Sequence, residues 1–269
     1  MAYKKELETA KTAALLAGEA IMRVYNQAEY DRDALQLQYK EDASPLTLAD
    51  KASHEVITWL LGEEFPEYGI LSEEADSHEQ CPQQFVFVVD PLDGTKEFVK
   101  RNGQFTVNIA LAKDGVAVMG VIYVPATKVL YWAAEGEGAW MVDVSKLDAG
   151  SDQGRIALHV SDRTEDLRAV ASSSHACAEL DDLLARHQIT RLVRCGSSIK
   201  GCMVASGEAD IYFRHNPTCE WDTAAMQCIA EQAGAIVRQM DDTPLIYNRK
   251  NHLNDKGFYI INRIENRLR

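Results

Sequence analysis

Apolar residues recur every three or four positions between residues 3 and 27, at Leu7, Ala10, Ala14, Leu15, Ala17, Gly18, Ile21, Met22 and Tyr25. That spacing predicts an amphipathic helix. "LQLQYK" (35–40) alternates like a strand, and "EDASPL" breaks it. Thr47, with Asp50 three residues on, has the form of a capping box opening a helix through Leu61, with Leu48, Ala52, Val56, Trp59 and Leu60 as its apolar side. "YGILSEE" (68–74) predicts a short strand ending in acids, and after a polar loop Phe85-Val86-Phe87-Val88-Val89 predicts a buried one. From Phe105 the period becomes two: Phe105, Val107, Ile109 and Leu111 alternate, and strands follow at 117–124, 128–134 and 138–142. Asp114-Gly115 and Glu137-Gly138 are turn signals between them, so this region predicts an antiparallel meander.

The second half alternates strand and helix. "AVASSS" (169–174) predicts a strand, 176–187 a helix, and "LVRCGSS" leads into a helix ending near Gly207. "ADIYFR" (209–214) is a strand; Asp222 opens a helix that Gly234 stops, and "AIVRQM" is another strand. The polar "VSKLDAGSDQGR" (144–155) is the candidate boundary between an N-terminal lobe, 1–150, holding the meander and most of the candidate acids, and a C-terminal α/β lobe, 151–269. Sheets interleaved with helix pairs predict a layered α/β (α+β) sandwich.

Composition narrows the function classes. A chain of 269 residues suits one large domain or two intimately packed lobes. No run approaches the ~20 consecutive apolar residues that span a bilayer. Acids and lysines persist through the first 25 residues, unlike a signal peptide, which predicts an intracellular protein. The six cysteines include no C-x-x-C, so reduced thiols are expected rather than a disulfide framework or zinc knuckle. The net charge of −13 opposes binding to a nucleic-acid polymer. Small anions remain candidates, because a bound cation reverses the local sign.

The chemistry concentrates in "VVDPLDGTKEF" (88–98). Pro91 fixes its own φ, lacks a donor, and is expected to end the strand cleanly. Asp90 and Asp93 just beyond a buried strand repel each other unless a cation lies between them, and the Leu92 carbonyl can join an oxygen cluster for a hard divalent ion. Gly94 allows close backbone approach, and a helix starting at Thr95 offers N–H groups to an anion. A plain strand-to-helix turn explains the same residues, since Asp-Pro and Asp-Gly are common in turns. Glu73-Glu74 and Asp222 add acids at element ends; each alone reads more readily as a cap or a solvated end, and only the set points to a shared cation.

Together, "LSEEAD", "DPLDGTKEF" and "EWDTAAMQCIAEQAGAIV" resemble the three metal-site motifs of the inositol monophosphatase superfamily, over the chain from the first helix to about residue 260. "DGTKEF" followed by "KRNGQFTVNIAL" is similar to its bacterial 3'(2'),5'-bisphosphate nucleotidase branch, of the CysQ type. The resemblance implies the sugar-phosphatase fold, layered α-β-α-β-α, and a Mg²⁺-dependent phosphatase with two or three ions per site. It implies hydrolysis of 3'-phosphoadenosine 5'-phosphate, a by-product of sulfate assimilation, to AMP and phosphate, in the cytoplasm. By the same motifs Glu73, Asp90, the Leu92 carbonyl, Asp93 and Asp222 are metal ligands. Thr95, oriented by Asp50, activates water with Glu74 behind it, and the Gly94 and Thr95 amides hold the scissile phosphate. His175 is expected near the adenine, Ser197 and Lys200 at phosphate or ribose, and Arg214 at the other phosphate. Ser173 stands where relatives often carry Arg. Alternatives are an inositol 1-phosphate or sugar-phosphate phosphatase, and a non-catalytic metal-dependent binder of phosphorylated ligands. The branch includes monomers and the superfamily dimers; peripheral attachment to the inner membrane is a further expectation for some relatives.

Overall fold

The computed structural model describes residues 2–40, 45–146, 154–174 and 177–269. Helix α1 (Lys4–Gln27) buries Leu7, Ala10, Ala14, Ala17, Gly18 and Ile21, the stripe its spacing predicted. The alternation at 35–40 yields less than expected. Leu35 closes a 3-10 turn, and only β1 (Gln38–Tyr39) pairs, with β2 (Pro45–Leu46).

Helix α2 (Leu48–Glu64) begins at the Thr47 cap but turns a different face inward. Ala49, Asp50, Ser53, Ile57 and Leu61 are buried, whereas Trp59 is 63% exposed. The reason lies in the polar residues: the Ser53 hydroxyl donates to the Pro91 carbonyl at 2.6 Å, and His54 Nδ1 shares a hydrogen with Ser72 Oγ at 2.9 Å. Facing those partners carries Ala49, Ile57 and Leu61 into the core and Trp59 out of it.

Strands β3 (Gly69–Ser72) and β4 (Phe85–Asp93) run parallel. After the short helix α3 (Thr95–Val99) come β5 (Thr106–Lys113), β6 (Val116–Val124), β7 (Val129–Ala134), β8 (Ala139–Asp143) and β9 (Ile156–Leu158). With β3 and β4 these strands form a seven-stranded sheet in chain order, antiparallel after β4, as the meander predicted.

The second half supplies β10 (Arg168–Ser172), α4 (Ala178–Arg186), β11 (Arg191–Cys195), α5 (Ile199–Ala205), β12 (Ile211–Arg214), β13 (Thr218–Cys219), α6 (Glu220–Gln232) and β14 (Ile236–Gln239). β15 (Leu253–Asn254) and β16 (Phe258–Ile261) complete it. The five-stranded sheet has the order β11-β10-β12-β16-β14, so β16, unforeseen in the sequence, enters between two earlier strands.

Three apolar clusters define the layers. α1 and α2 cover one face of the seven-stranded sheet through Val107, Ile109, Leu111 and Val121. α5 and α6 fill the space between the sheets, where Ala110, Ile122 and Ala133 meet Ala225, Cys228 and Ile229 and then Val170, Tyr212 and Ile260. α4 covers the outer face of the second sheet through Leu180, Leu183 and Leu184. The layering is α-β-α-β-α, as expected. Of the candidate boundary, residues 144–146 form a 3-10 turn and 147–153 lie outside the described residues.

Candidate active site

Strand β4 does not stop at Pro91. Asp90 pairs with Asn108 and Asp93 with Thr106, so two residues of β4 oppose one of β5 in a bulge. Pro91, with no N–H to satisfy, sits inside it. The bulge re-aims the strand end. Asp90 is buried at 1% exposure, with its carboxylate accepting the Leu92 N–H at 3.1 Å. The Leu92 carbonyl accepts the Thr95 hydroxyl at 3.2 Å, and Gly94 turns the chain into α3 at φ +89°, a conformation suited to glycine.

Asp93 is gripped from both halves of the molecule: its Oδ2 accepts the Ser198 N–H at 2.6 Å and Asn108 Nδ2 at 3.3 Å. Asp222 stands in the first turn of α6, where its Oδ2 accepts the Cys219 N–H at 2.5 Å. The base of that helix is anchored by Glu220, which accepts the Asn248 and Arg249 N–H groups and Arg249 Nε. Asp90, Asp93 and Asp222 each present an oxygen within 4.8 Å of the other two.

Glu73 follows β3, and its N–H donates to the Val89 carbonyl at 3.1 Å. Lys40 Nζ donates to Glu73 Oε1 at 2.8 Å and to Glu74 Oε1 at 2.6 Å. Burial opposes the Lys40 charge, but the two glutamates outweigh it and raise its pKa. Burial followed by the charges of Glu73, Asp93 and Asp222 pushes Asp90 well up; burial followed by Asp93 and Glu73 pushes Asp222 to about 8. Glu73 is raised as well, by burial first. Such crowding of acids is relieved by a cation, and an all-oxygen donor set including the Leu92 carbonyl fits a hard divalent ion.

Asp50 serves two partners with its two oxygens. Oδ2 accepts the Thr47 N–H at 2.7 Å and the Thr47 hydroxyl at 2.6 Å, forming the capping box, while Oδ1 accepts the Thr95 hydroxyl at 3.1 Å. Asp50 therefore caps α2 and reaches Thr95 at the same time. Burial raises its pKa to about 7 despite the Thr47 hydrogen bonds.

A cavity of about 360 Å³ joins these groups to the second half of the molecule, lined among others by Glu73, Asp90, Asp93, Thr95, Ser197, Lys200, Arg214 and Asp222. Ser197 holds φ +47°, and its buried Oγ has no partner among the described residues; the same is true of Arg214 Nε. Lys200 is buried, donates to the Ser197 carbonyl and lies 5.6 Å from the Tyr212 ring centroid. Burial lowers its pKa, against the pull of Asp93. Unpaired buried donors around an opening are costly unless an anion arrives to accept from them.

Glu73, Asp90, Leu92, Asp93, Gly94, Thr95, Ser197, Lys200, Arg214 and Asp222 thus converge on one cavity. Glu74 and Asp50 stand behind its lining, and His175 lies outside the described residues. The Ser173 hydroxyl donates to Glu97 at 3.1 Å. Sequence reading missed Lys40, Glu97 and Asn108. Asn108, a lone amide in the apolar "TVNIALA", carried a signal; Lys40 carried none.

The profile of the inositol monophosphatase family matches residues 3–263. The chain is 43% identical over 249 residues to the 3'(2'),5'-bisphosphate nucleotidase CysQ of Salmonella typhimurium, covering 91% of this chain and 94% of that one. It is 35% identical to the protein of the same name from Buchnera aphidicola, covering 96% of this chain and 94% of that one. The crystal structure of CysQ from Bacteroides thetaiotaomicron superposes with a TM-score of 0.84 at 40% identity, covering 97% of this chain and 98% of that one. The inositol monophosphatase from Anabaena gives 0.75 at 26% identity, over 97% and 92%. With the family profile matched over residues 3–263 and relatives covered over nearly their whole length, the chain belongs to the inositol monophosphatase family.

Proposed function

We propose that the protein is a Mg²⁺-dependent 3'(2'),5'-bisphosphate nucleotidase that hydrolyses 3'-phosphoadenosine 5'-phosphate to AMP and phosphate. The observation that carries the reading is the convergence of Asp90, Asp93 and Asp222 beside the Thr95–Asp50 pair in a cavity whose far side holds unpaired donors. Glu73, Asp90, Asp93, Asp222 and the Leu92 carbonyl would hold two or three ions. When bound, Mg²⁺ supplies Lewis acidity to the phosphoryl oxygens and makes water a stronger acid. Thr95 accepts the proton of the attacking water as its own hydroxyl proton passes toward Asp50, with Glu74 adding negative charge behind them. The water oxygen bonds to phosphorus as the bond to the ribose 3'-oxygen breaks, that oxygen taking a proton from solvent to leave as the 3'-hydroxyl, with no phosphoenzyme. Gly94 and Thr95 N–H groups hold the scissile phosphate, Ser197 and Lys200 the ribose or second phosphate, and Arg214 the second phosphate; His175 is assigned to the adenine. A hydrolase needs the Thr95–Asp50 pair and a mere binder does not, which favours catalysis.

In this reading the enzyme works in the cytoplasm, as a monomer or homodimer, on a small nucleotide linked to sulfate assimilation. No helix among the described residues is long and apolar enough to cross a membrane, and the net charge of −13 opposes docking to an anionic leaflet. The test is phosphate release, with and without Mg²⁺, from 3'-phosphoadenosine 5'-phosphate, inositol 1-phosphate and fructose 1,6-bisphosphate. A strong Mg²⁺-dependent preference for the nucleotide is expected. Equal or greater turnover of inositol 1-phosphate would replace the nucleotidase reading, and no turnover of any would favour the binder. Asp93→Asn is expected to abolish hydrolysis while leaving the circular-dichroism spectrum unchanged; undiminished turnover would remove Asp93 from the metal site.

A further inference from the structure

Glu97 is a carboxylate at 5% exposure that lines a cavity suited to phosphate, a position where its charge repels the ligand unless other groups engage it. The hydroxyls of Ser173 and Ser174, in the turn after β10, both donate to Glu97 Oε1. Lys100, the residue that caps α3, donates to the Ser174 hydroxyl at 3.1 Å, so α3 grips that turn twice.

The turn after β11 rests on the same side chain. A Cβ added to Gly196 would lie 2.5 Å from Glu97 Cγ and 2.7 Å from the Gln104 carbonyl oxygen, so only glycine lets this turn approach. The Gly196 N–H donates to Gln104 Oε1 at 2.9 Å. Glu97 Oε2 also lies 3.4 Å from the position of a Cβ on Gly94. The 172–174 turn thus hydrogen-bonds the Glu97 carboxylate, the 196–198 turn packs on its Cγ and the 94–95 turn lies beside its Oε2, and Ser172, Ser197 and Thr95 from these turns line the cavity.

We propose that Glu97 is a positioning residue for substrate choice: by tying the turns after β10 and β11 to the phosphate turn, it sets the separation between the scissile-phosphate groups and the second-phosphate groups. The inference rests on the nucleotidase reading and deepens it. A bisphosphate must reach both sets of groups at once, whereas a monophosphate engages the first alone.

The test compares the wild type with Glu97→Ala, Glu97→Gln and the double variant Ser173→Ala/Ser174→Ala at saturating Mg²⁺. KM and kcat are measured for 3'-phosphoadenosine 5'-phosphate and inositol 1-phosphate, with hydrogen exchange of the segments 168–174 and 192–199 followed alongside. Glu97→Ala and the double variant are expected to raise KM for the bisphosphate about tenfold, and that for inositol 1-phosphate no more than about twofold. Exchange in the first segment should rise in both variants, and Glu97→Gln, which keeps an acceptor oxygen, should recover most of the loss. Equal losses on the two substrates would reduce Glu97 to a structural brace and overturn the proposal, as would unchanged exchange. If Glu97→Ala does not fold, the double variant decides. A wild type without preference for the bisphosphate overturns the substrate reading and the selectivity role together, and shows itself before any variant is made.

Discussion

Asp50 shows how one carboxylate acquires two duties. Its proton is held to about pH 7 in the fold, against 3.8 in the unfolded chain, because burial disfavours the charge. Between those values the folded state binds more protons, so this residue makes stability fall as pH rises through that window. Asn in its place keeps an oxygen for both Thr47 donors and removes the acceptor for Thr95. Asp50→Asn is therefore expected to raise unfolding free energy at pH 8 by about 1–3 kcal/mol and lower turnover about 100-fold. Urea titrations at pH 4.5, 6 and 8 check the first part; a wild-type slope of stability against pH would show that Asp50 does not titrate there. At this scale the site was legible where its residues sit beside punctuation, as Asp90 and Asp93 do around Pro91 and before Gly94. Lys40 was not, because its partner Glu73 lies 33 positions away, and Asn108 stood out only as a lone amide whose partner Asp93 lies 15 positions away.

Elements were legible wherever one face is apolar and the other polar, as in α1. The meander followed its large residues, Val107, Ile109 and Leu111, which implied one buried face; the structure buries both. Its second face is built from Thr106, Asn108, Ala110 and Ala112, small or polar side chains whose burial no hydrophobic period announces. Small residues are what α6 requires there. A Cβ on Gly120 of β6 would lie 2.5 Å from the Ala225 carbonyl oxygen and 3.0 Å from its Cα, both backbone atoms that cannot swing aside. Gly120→Ala is expected to cost about 1–3 kcal/mol and lower Tm by roughly 3–10 °C. Because α6 carries Asp222, calorimetry should also show weaker Mg²⁺ binding. A wild-type Tm would mean that the helix and sheet are less closely fitted than this contact implies. The outward turn of Trp59 has another origin, since the Ser53 and His54 hydrogen bonds lie on the side of α2 that faces the core.

Across the whole molecule, we propose that the lobes 1–150 and 151–269 behave as one cooperative unit. They share an apolar cluster reaching from Leu71 and Val88 through Ala225 to Val170 and Ile260, and they share the acids, since Asp93 belongs to one and Asp222 to the other. An ion bound between those acids stabilises both lobes together. Heating is expected to give one transition by near-UV and far-UV circular dichroism, raised by Mg²⁺ at 100 times its Kd by about 5–10 °C at pH 8. The shift should be smaller at pH 5.5, because protons compete with the ion on Asp222, whose pKa is raised to about 8. Two separated transitions, or a shift independent of pH, would contradict the shared site.

The position of β16 has a consequence for the order of events during synthesis. β12 and β14 leave the ribosome before it, yet neither pairs with the other; both wait for Phe258–Ile261 to enter between them. Asp222 waits as well, because the start of α6 leans on Arg249 and on Asn254, whose side-chain amide donates to the Cys219 carbonyl at 3.0 Å. A growing chain therefore carries all its site acids before it has made Arg249, Asn254 and Phe258–Ile261, the residues that complete the start of α6 and close the second sheet.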